Sequence, residues 1–172
     1  LDDRFHRYRL VEACGGNGTD TATLTLGKDG MVHFHDGTQT TGQGHDTAFS
    51  QIVAHHLSLP PERVRMLQGD TAVIATGTGT GGSSSIPAGG NSVAMAAAKL
   101  ADQLKDIASH ALEADPRDLE FAEGSIRVAG TDRTITLVEL ASHPRADADA
   151  LRAADAFVPK ASTFPNGTHV VE

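Results

Sequence analysis

The stretch Ala22-Thr-Leu-Thr-Leu-Gly-Lys-Asp-Gly-Met-Val-His-Phe-His35 decides the fold class. From Ala22 to Leu26, small or apolar residues alternate with polar ones, the period of a strand with one buried face. Asp29-Gly30 follows, and such a pair tolerates the positive φ angles that a tight hairpin demands. Met31 to His35 then returns as the partner strand. The spacing predicts an antiparallel hairpin.

Downstream, the period changes. Asp36 to Gly44 is rich in Gly and Thr and reads as a loop. Phe49, Ile52, Val53 and Leu57 then share one helical face, which predicts a helix from near His45 to just before Pro60-Pro61. Arg63 to Gln68 alternates again as a strand and stops at Gly69-Asp70. Ala75 to Gly90 has no apolar periodicity. Val93, Ala96, Ala97, Leu100, Leu104, Ile107 and Ala111 form the stripe of a second long helix, which ends before Pro116. Leu119–Glu123 and Ile126–Val128 predict a second hairpin, Arg133–Leu137 a short strand, and Val138–Ala141 a helical turn. His143 to Ala156 is rich in Ala and Asp and reads as a surface connection. Asn166 to Val171 reads as a further strand. Hairpins mixed with helices, without regular strand-helix alternation, predict an α+β domain over residues 1–172, with antiparallel hairpins packed on two long helices. The chain begins with Leu and stops at a strand-like Val171-Glu172, so a fragment of a longer polypeptide is expected.

The composition narrows the function. A length of 172 residues suffices for one core. The net charge of −8, with no local cluster of Lys and Arg, disfavours a nucleic-acid backbone. The single cysteine, Cys14, excludes an internal disulfide framework and a Cys-rich metal site, and suits a reducing, cytoplasmic setting. No apolar run is long enough to span a membrane. Among the histidines, His33 and His35 share a strand face and His55-His56 are adjacent. No pair has the helical spacing of a zinc enzyme, so no metal site is expected from side chains. His45 borders the first loop and reads as a helix-start residue.

Two loops carry the chemistry. In the first, Gly42 and Gly44 flank Gln43. Glycines let a backbone approach a ligand, the helix start behind them offers unpaired N–H groups, and the Gln43 amide both donates and accepts. The second, Gly77-Thr-Gly-Thr-Gly-Gly-Ser-Ser-Ser85, presents backbone and hydroxyl groups suited to an anionic or polar ligand. It has Walker-type glycine spacing, but Ser83 stands where the phosphate-binding Lys belongs, which rules out that loop. Its match to the dinucleotide fingerprint fails as well: Pro87 interrupts the expected helix start, and no acid follows at the end of a second strand. Plain alternatives are a turning junction for the first loop and a Gly-Ser linker for the second.

The order of these pieces is more specific than any one of them. Gly37-Thr-Gln, Gly42-Gln-Gly-His45, Gln51-Ile-Val53, Val64 to Thr71, the Gly77–Ser85 loop, Ala114-Asp-Pro-Arg-Asp-Leu-Glu-Phe121, Gly124, Val128 and Phe164-Pro-Asn-Gly-Thr-His-Val170 follow one another. From about Val11 to Glu172 the chain resembles the molybdenum-cofactor-binding large subunit of the xanthine dehydrogenase, aldehyde oxidase and carbon monoxide dehydrogenase family. The resemblance implies an oxidoreductase that hydroxylates an aldehyde or N-heterocycle with oxygen from water, or oxidises carbon monoxide. It implies a molybdenum–molybdopterin cofactor, in bacteria often with a cytosine dinucleotide tail. Iron–sulfur clusters and FAD would sit on partner subunits or domains, beside the remainder of the large subunit, in a homodimer of the complete enzyme. Carried over by position, Gly42, Gln43, Gly44, Thr80, Gly81, Gly82, Ser83, Ser84 and Ser85 would line the cofactor. Many bacterial members carry an Arg where this chain has Ser84, which removes a charge-assisted contact. The family's downstream glutamate base has no counterpart here, so the segment holds no catalytic residue and is expected to be inactive alone. The alternative from another class is a non-catalytic binding or scaffold domain that kept this fold without the cofactor.

Overall fold

The computed structural model describes residues 6–11, 18–74, 76–162, 164 and 166–171, with side chains for 18–74, 76–162 and 164. Cys14 and Glu172 lie outside the described residues. The elements are β1 (His6–Val11), β2 (Asp20–Leu26), β3 (Val32–Asp36), α1 (His45–Leu57), β4 (Val64–Leu67), α2 (Asn91–Ala111), β5 (Leu119–Ala122), β6 (Ser125–Val128), β7 (Thr134–Thr136), α3 (Leu137–Ala141), β8 (Arg152–Phe157) and β9 (Asn166–Val171). A four-stranded sheet has the order β4-β3-β2-β8, a three-stranded sheet the order β5-β6-β7, and β1 pairs with β9. The architecture is α+β, as the hairpin pattern predicts.

The β2–β3 hairpin sets the frame. Its register runs from Ala22 opposite Asp36 to Leu26 opposite Val32. Gly30 takes a positive φ of 76° in the connecting turn, where the Asp29 side chain accepts a hydrogen bond from the Met31 amide. Alternation then buries Ala22, Leu24, Leu26, Val32 and Phe34, none more than 2% exposed. Both long helices cover this face. Phe49 and Val53 of α1, and Val93, Ala97, Leu100 and Leu104 of α2, are fully buried against it, while Ile52 is half-buried. Each fully buried Leu or Phe contributes about 1.5–3 kcal/mol of transfer free energy, so this interface dominates the stability. Beyond the hairpin, β4 returns parallel to β3, with α1 as the crossover.

Two sequence expectations need correction. Residues 152–156, read as part of a surface connection, belong to β8, which pairs antiparallel with β2 from Asp20–Phe157 to Thr25–Arg152. Ala and Asp have low strand propensity and hid it. The small side chain of Ala153, 1% exposed, lets α2 lie close, and the Lys99 ammonium donates to the Ala154 carbonyl at 3.2 Å. The second correction concerns Pro87. It does not interrupt the start of the second helix. Ser85–Gly90 forms a wide helical turn that runs straight into α2. The Ala88 amide already donates to the Ser84 carbonyl at 2.7 Å, and Pro87 precedes it, where a missing N–H costs nothing.

The three-stranded sheet and α3 form a satellite around Leu119, Ile126, Leu137 and Leu140, each at most 1% exposed. A capping box starts α3: the Thr136 hydroxyl accepts from the Glu139 amide, and the Glu139 carboxylate accepts from the Thr136 amide. That carboxylate also accepts from the Thr136 hydroxyl, and these contacts hold its pKa below the usual range.

Candidate functional site

The two glycine-rich loops leave the same end of the four-stranded sheet and run side by side. The first follows β3. The second follows the segment after β4 and leads into the wide turn before α2. They cross backbone against backbone: a Cβ placed on Gly37 would lie 2.6 Å from the Gly77 Cα, and one on Gly77 would run into the Gly37 carbonyl. The Gly79 amide donates to the Gly37 carbonyl at 3.2 Å, and the Thr80 hydroxyl donates to the Gln39 carbonyl at 2.6 Å. These contacts anchor the second loop on the first, so it is not a free linker.

Gly42 and Gly44 have φ of 114° and 78°, with nothing within 4 Å of a Cβ built on either. Gln43 is exposed, and its carbonyl oxygen accepts from the amide and hydroxyl of Thr41. In the second loop, Gly79 and Gly82 are at φ 71° and 55° and are equally open, while Ser83 takes a left-handed φ of 52°. The Gly81 carbonyl accepts from the Ser84 amide at 3.1 Å and the Ser84 hydroxyl at 2.7 Å. The Ser85 hydroxyl lies 3.5 Å from that of Thr80. The nine residues singled out from sequence therefore sit on two adjoining loops, with open space over the glycines.

Sequence reading missed what holds these loops. Asp20 and Asp36 occupy the last inward positions of β2 and β3 at this end, 0% and 1% exposed. Asp20 Oδ1 accepts from the Thr78 amide at 3.1 Å and the Thr78 hydroxyl at 3.2 Å, while its Oδ2 is buried with no partner among the described residues. Asp36 Oδ1 accepts from the Thr38 amide at 2.8 Å. Burial raises the Asp36 pKa above its ordinary value; hydrogen bonds from Thr38 and Ser92 oppose this, and the neighbouring Asp20 adds to it. The signal was available: a carboxylate stands where the alternation of each strand calls for an apolar residue. His45 is 4% exposed, stacks on Phe49 at 5.1 Å between ring centroids, and its Nδ1 lies 3.4 Å from the Thr38 hydroxyl. It seats the start of α1. Among the described residues no three or more His, Cys, Asp or Glu side chains converge as a metal cage, and no helix is long and apolar enough to cross a membrane.

Two small-residue loops share one sheet end of an α+β domain, and the comparisons say to which family such a domain belongs. Residues 8–172 match the family model described as a molybdopterin cofactor-binding domain, and the chain belongs to that family. It is 34% identical over 170 residues to the gamma subunit of the 6-hydroxypseudooxynicotine dehydrogenase complex of Paenarthrobacter nicotinovorans, covering 95% of this chain and 21% of that protein. It is 30% identical to the carbon monoxide dehydrogenase large chain of Hydrogenophaga pseudoflava, covering 94% of this chain and 21% of that one. In structure it is similar to a Cu,Mo-carbon monoxide dehydrogenase, with a TM-score of 0.84 and 30% identity over 96% of this chain and 23% of the other. The aldehyde oxidoreductase of Desulfovibrio desulfuricans, at 17% identity and TM-score 0.58, shares the fold. The chain spans about a fifth of the length of the curated relatives it matches.

The loops fit a pterin with phosphate. They offer neutral donors and hydroxyls, and the open glycines leave room for a flat ring near the backbone. Asp46, in the first turn of α1, works against an oxyanion at that helix start, so phosphate oxygens are better served by the second loop.

Proposed function

We propose that this chain is the part of a molybdenum hydroxylase large subunit that lines the molybdenum–molybdopterin cofactor. One observation carries the reading: two loops of small residues, with open positive-φ glycines, are fastened together at one sheet end. Gly42, Gln43 and Gly44 approach the polar end of the pterin. Thr80, Gly81, Gly82, Ser83, Ser84 and Ser85 direct amides and hydroxyls at pterin and phosphate oxygens, including those of a cytosine dinucleotide tail if the cofactor carries one. The Gln43 carbonyl accepts from the Thr41 amide and hydroxyl and its NH2 group reaches the Gln39 carbonyl at 3.5 Å, which fixes the amide plane and leaves one amide proton to donate to a ligand. When bound, the cofactor supplies two-electron oxidation of an aldehyde, an N-heterocycle or carbon monoxide. The catalytic base lies elsewhere in the large subunit. Iron–sulfur and FAD partners carry the electrons away, the complete enzyme is a cytoplasmic homodimer, and this segment alone is inactive.

Ser84 keeps the non-catalytic alternative in play. Its hydroxyl turns back on the Gly81 carbonyl and supplies no cation where relatives of the resembled family place Arg. The test is the molybdenum content of the complete protein, produced with full cofactor supply, for the wild type and for Gln43→Ala and Gly82→Val. Stoichiometric metal that both substitutions reduce supports the proposal. A wild-type protein without molybdenum overturns it and leaves the scaffold reading.

A further inference from the structure

The long helices cover one face of the four-stranded sheet, and the opposite face carries the alternate residues of its strands. Strand register sets two rows across that face. In one, Arg65 of β4, His33 of β3, Thr25 of β2 and Arg152 of β8 stand side by side. In the next, Leu67, His35, Thr23 and Ala154 do so. At a strand spacing of about 4.8 Å, three steps put the two arginines of the first row roughly 14 Å apart at their Cα atoms. Both are exposed, and among the described residues neither pairs with a carboxylate. The acids of these strands are turned away. Asp20 and Asp36 are buried at inner positions, and Asp155 stands opposite inward-facing Ala22 with its carboxylate on the Ala156 amide. Beside the second row, a hollow of about 310 Å³ lies between Val73-Ile74 and the side chains of Thr23, His35 and Arg152. Val73 at its edge is 46% exposed.

We propose that this face is a docking surface for another segment of the same large subunit, one that brings carboxylates to Arg65 and Arg152 and an apolar side chain to the hollow. The proposal rests on the reading of this chain as part of such a subunit. Charge selects the partner. The chain has 22 Asp and Glu against 14 Lys and Arg, so a row with two arginines and no acid among the outward strand positions runs against its average and matches an acidic surface. A second copy of this chain meeting the face symmetrically would set arginines against arginines. The chain spans 21% of the curated relatives it matches, so a subunit of their length has most of its residues still to pack. A segment that seals the face also shields its ion pairs from water, where such pairs gain more than they do at an open surface.

The test is made on the complete protein. Phenylglyoxal, which adds to free guanidinium groups, should leave Arg65 and Arg152 unmodified in the native protein and modify both after unfolding in urea. Arg65→Lys and Arg152→Lys, made singly, keep the charge at exposed positions and leave the core untouched. A water-soluble carbodiimide should then join each new amine to an Asp or Glu of the same polypeptide outside residues 1–172, read by mass spectrometry of the linked peptides. Arginines as reactive in the native protein as in the unfolded one overturn the inference. So does a missing amide, or an amide to an acid within residues 1–172, to a second copy or to another subunit. Should a lysine variant fail to fold, the arginine reactivity of the wild type decides. Molybdenum measured on the same preparations separates this inference from the cofactor reading. Shielded arginines with the expected amides, in a protein that never binds molybdenum, would sink that reading and leave this one standing. Reactive arginines in a molybdenum-loaded protein would do the reverse.

Discussion

The loop end and the satellite sheet are held by opposite means. The β5–β6–β7 sheet with α3 rests on buried Leu119, Ile126, Leu137 and Leu140, on the capping box at Thr136, and at its rim on an exposed Arg127–Glu120 ion pair at 3.1 Å. The loop end has no apolar side chain to bury. It is held by glycines that cross at Gly37 and Gly77 and by two buried carboxyls. The satellite is stabilised by apolar burial continuous with the main core. The loop end spends buried charge and backbone closeness on holding a shape that does nothing for the core, which is the mark of a region shaped for a ligand.

The contrast can be broken at either side. The largest loss of stability should come from Ile126→Ala, about 2–5 kcal/mol. Thermal unfolding of the complete protein would measure it, and the molecules that remain folded should keep their full molybdenum content. Gly77→Ala should cost less, about 1–3 kcal/mol, because the strain falls on exposed loops. It should nevertheless reduce molybdenum content sharply, since the methyl group forces the two loops apart. If Gly77→Ala retains its metal while Ile126→Ala loses it, the division of labour is wrong.

The pH dependence sharpens the same point. The folded-state pKa of Asp36 is raised, so the folded protein binds this proton more tightly than the unfolded chain does. Its contribution is complete below the unfolded value of 3.8 and is lost as pH rises through the folded value. Asp36→Asn should remove that falling limb from a plot of stability against pH, and a plot unchanged by the substitution would count against it. At the satellite, Thr136→Ala should cost about 1 kcal/mol through the lost cap, with no change in molybdenum content. Smallest of all, Arg127→Ala should change stability by about 0–1 kcal/mol, because both partners are half exposed and solvent screens them.

What the sequence disclosed follows the same division. The β2–β3 hairpin and both helices were legible because Leu24, Leu26, Phe34, Phe49, Leu100 and Leu104 recur at the periods of strand and helix. β8 was not, since Arg-Ala-Ala-Asp-Ala-Phe carries no branched side chain, and its burial comes from α2 lying close rather than from its own bulk. The positions of the two loops were legible from glycine and serine content. Their crossing was not, because it depends on Gly37 and Gly77 meeting in space, and no local pattern encodes a meeting at that separation. Asp20 and Asp36 were visible as breaks in alternation. Their partners Thr78 and Ser92 belong to other elements, so the reason for the breaks could not be read locally.

The Gly37–Gly77 crossing also bears on the order in which the chain folds. It encloses residues 38–76, including α1 and β4, and closing so long a loop carries an entropy cost that few contacts at the crossing itself return. The hairpin and helices can form from near neighbours, but the crossing must wait until α1 has docked and β4 has found β3. Substitutions at Gly37 or Gly77 should therefore leave the folding rate nearly unchanged and act on unfolding. The loop end is then the last part of the domain to assemble and the first to open.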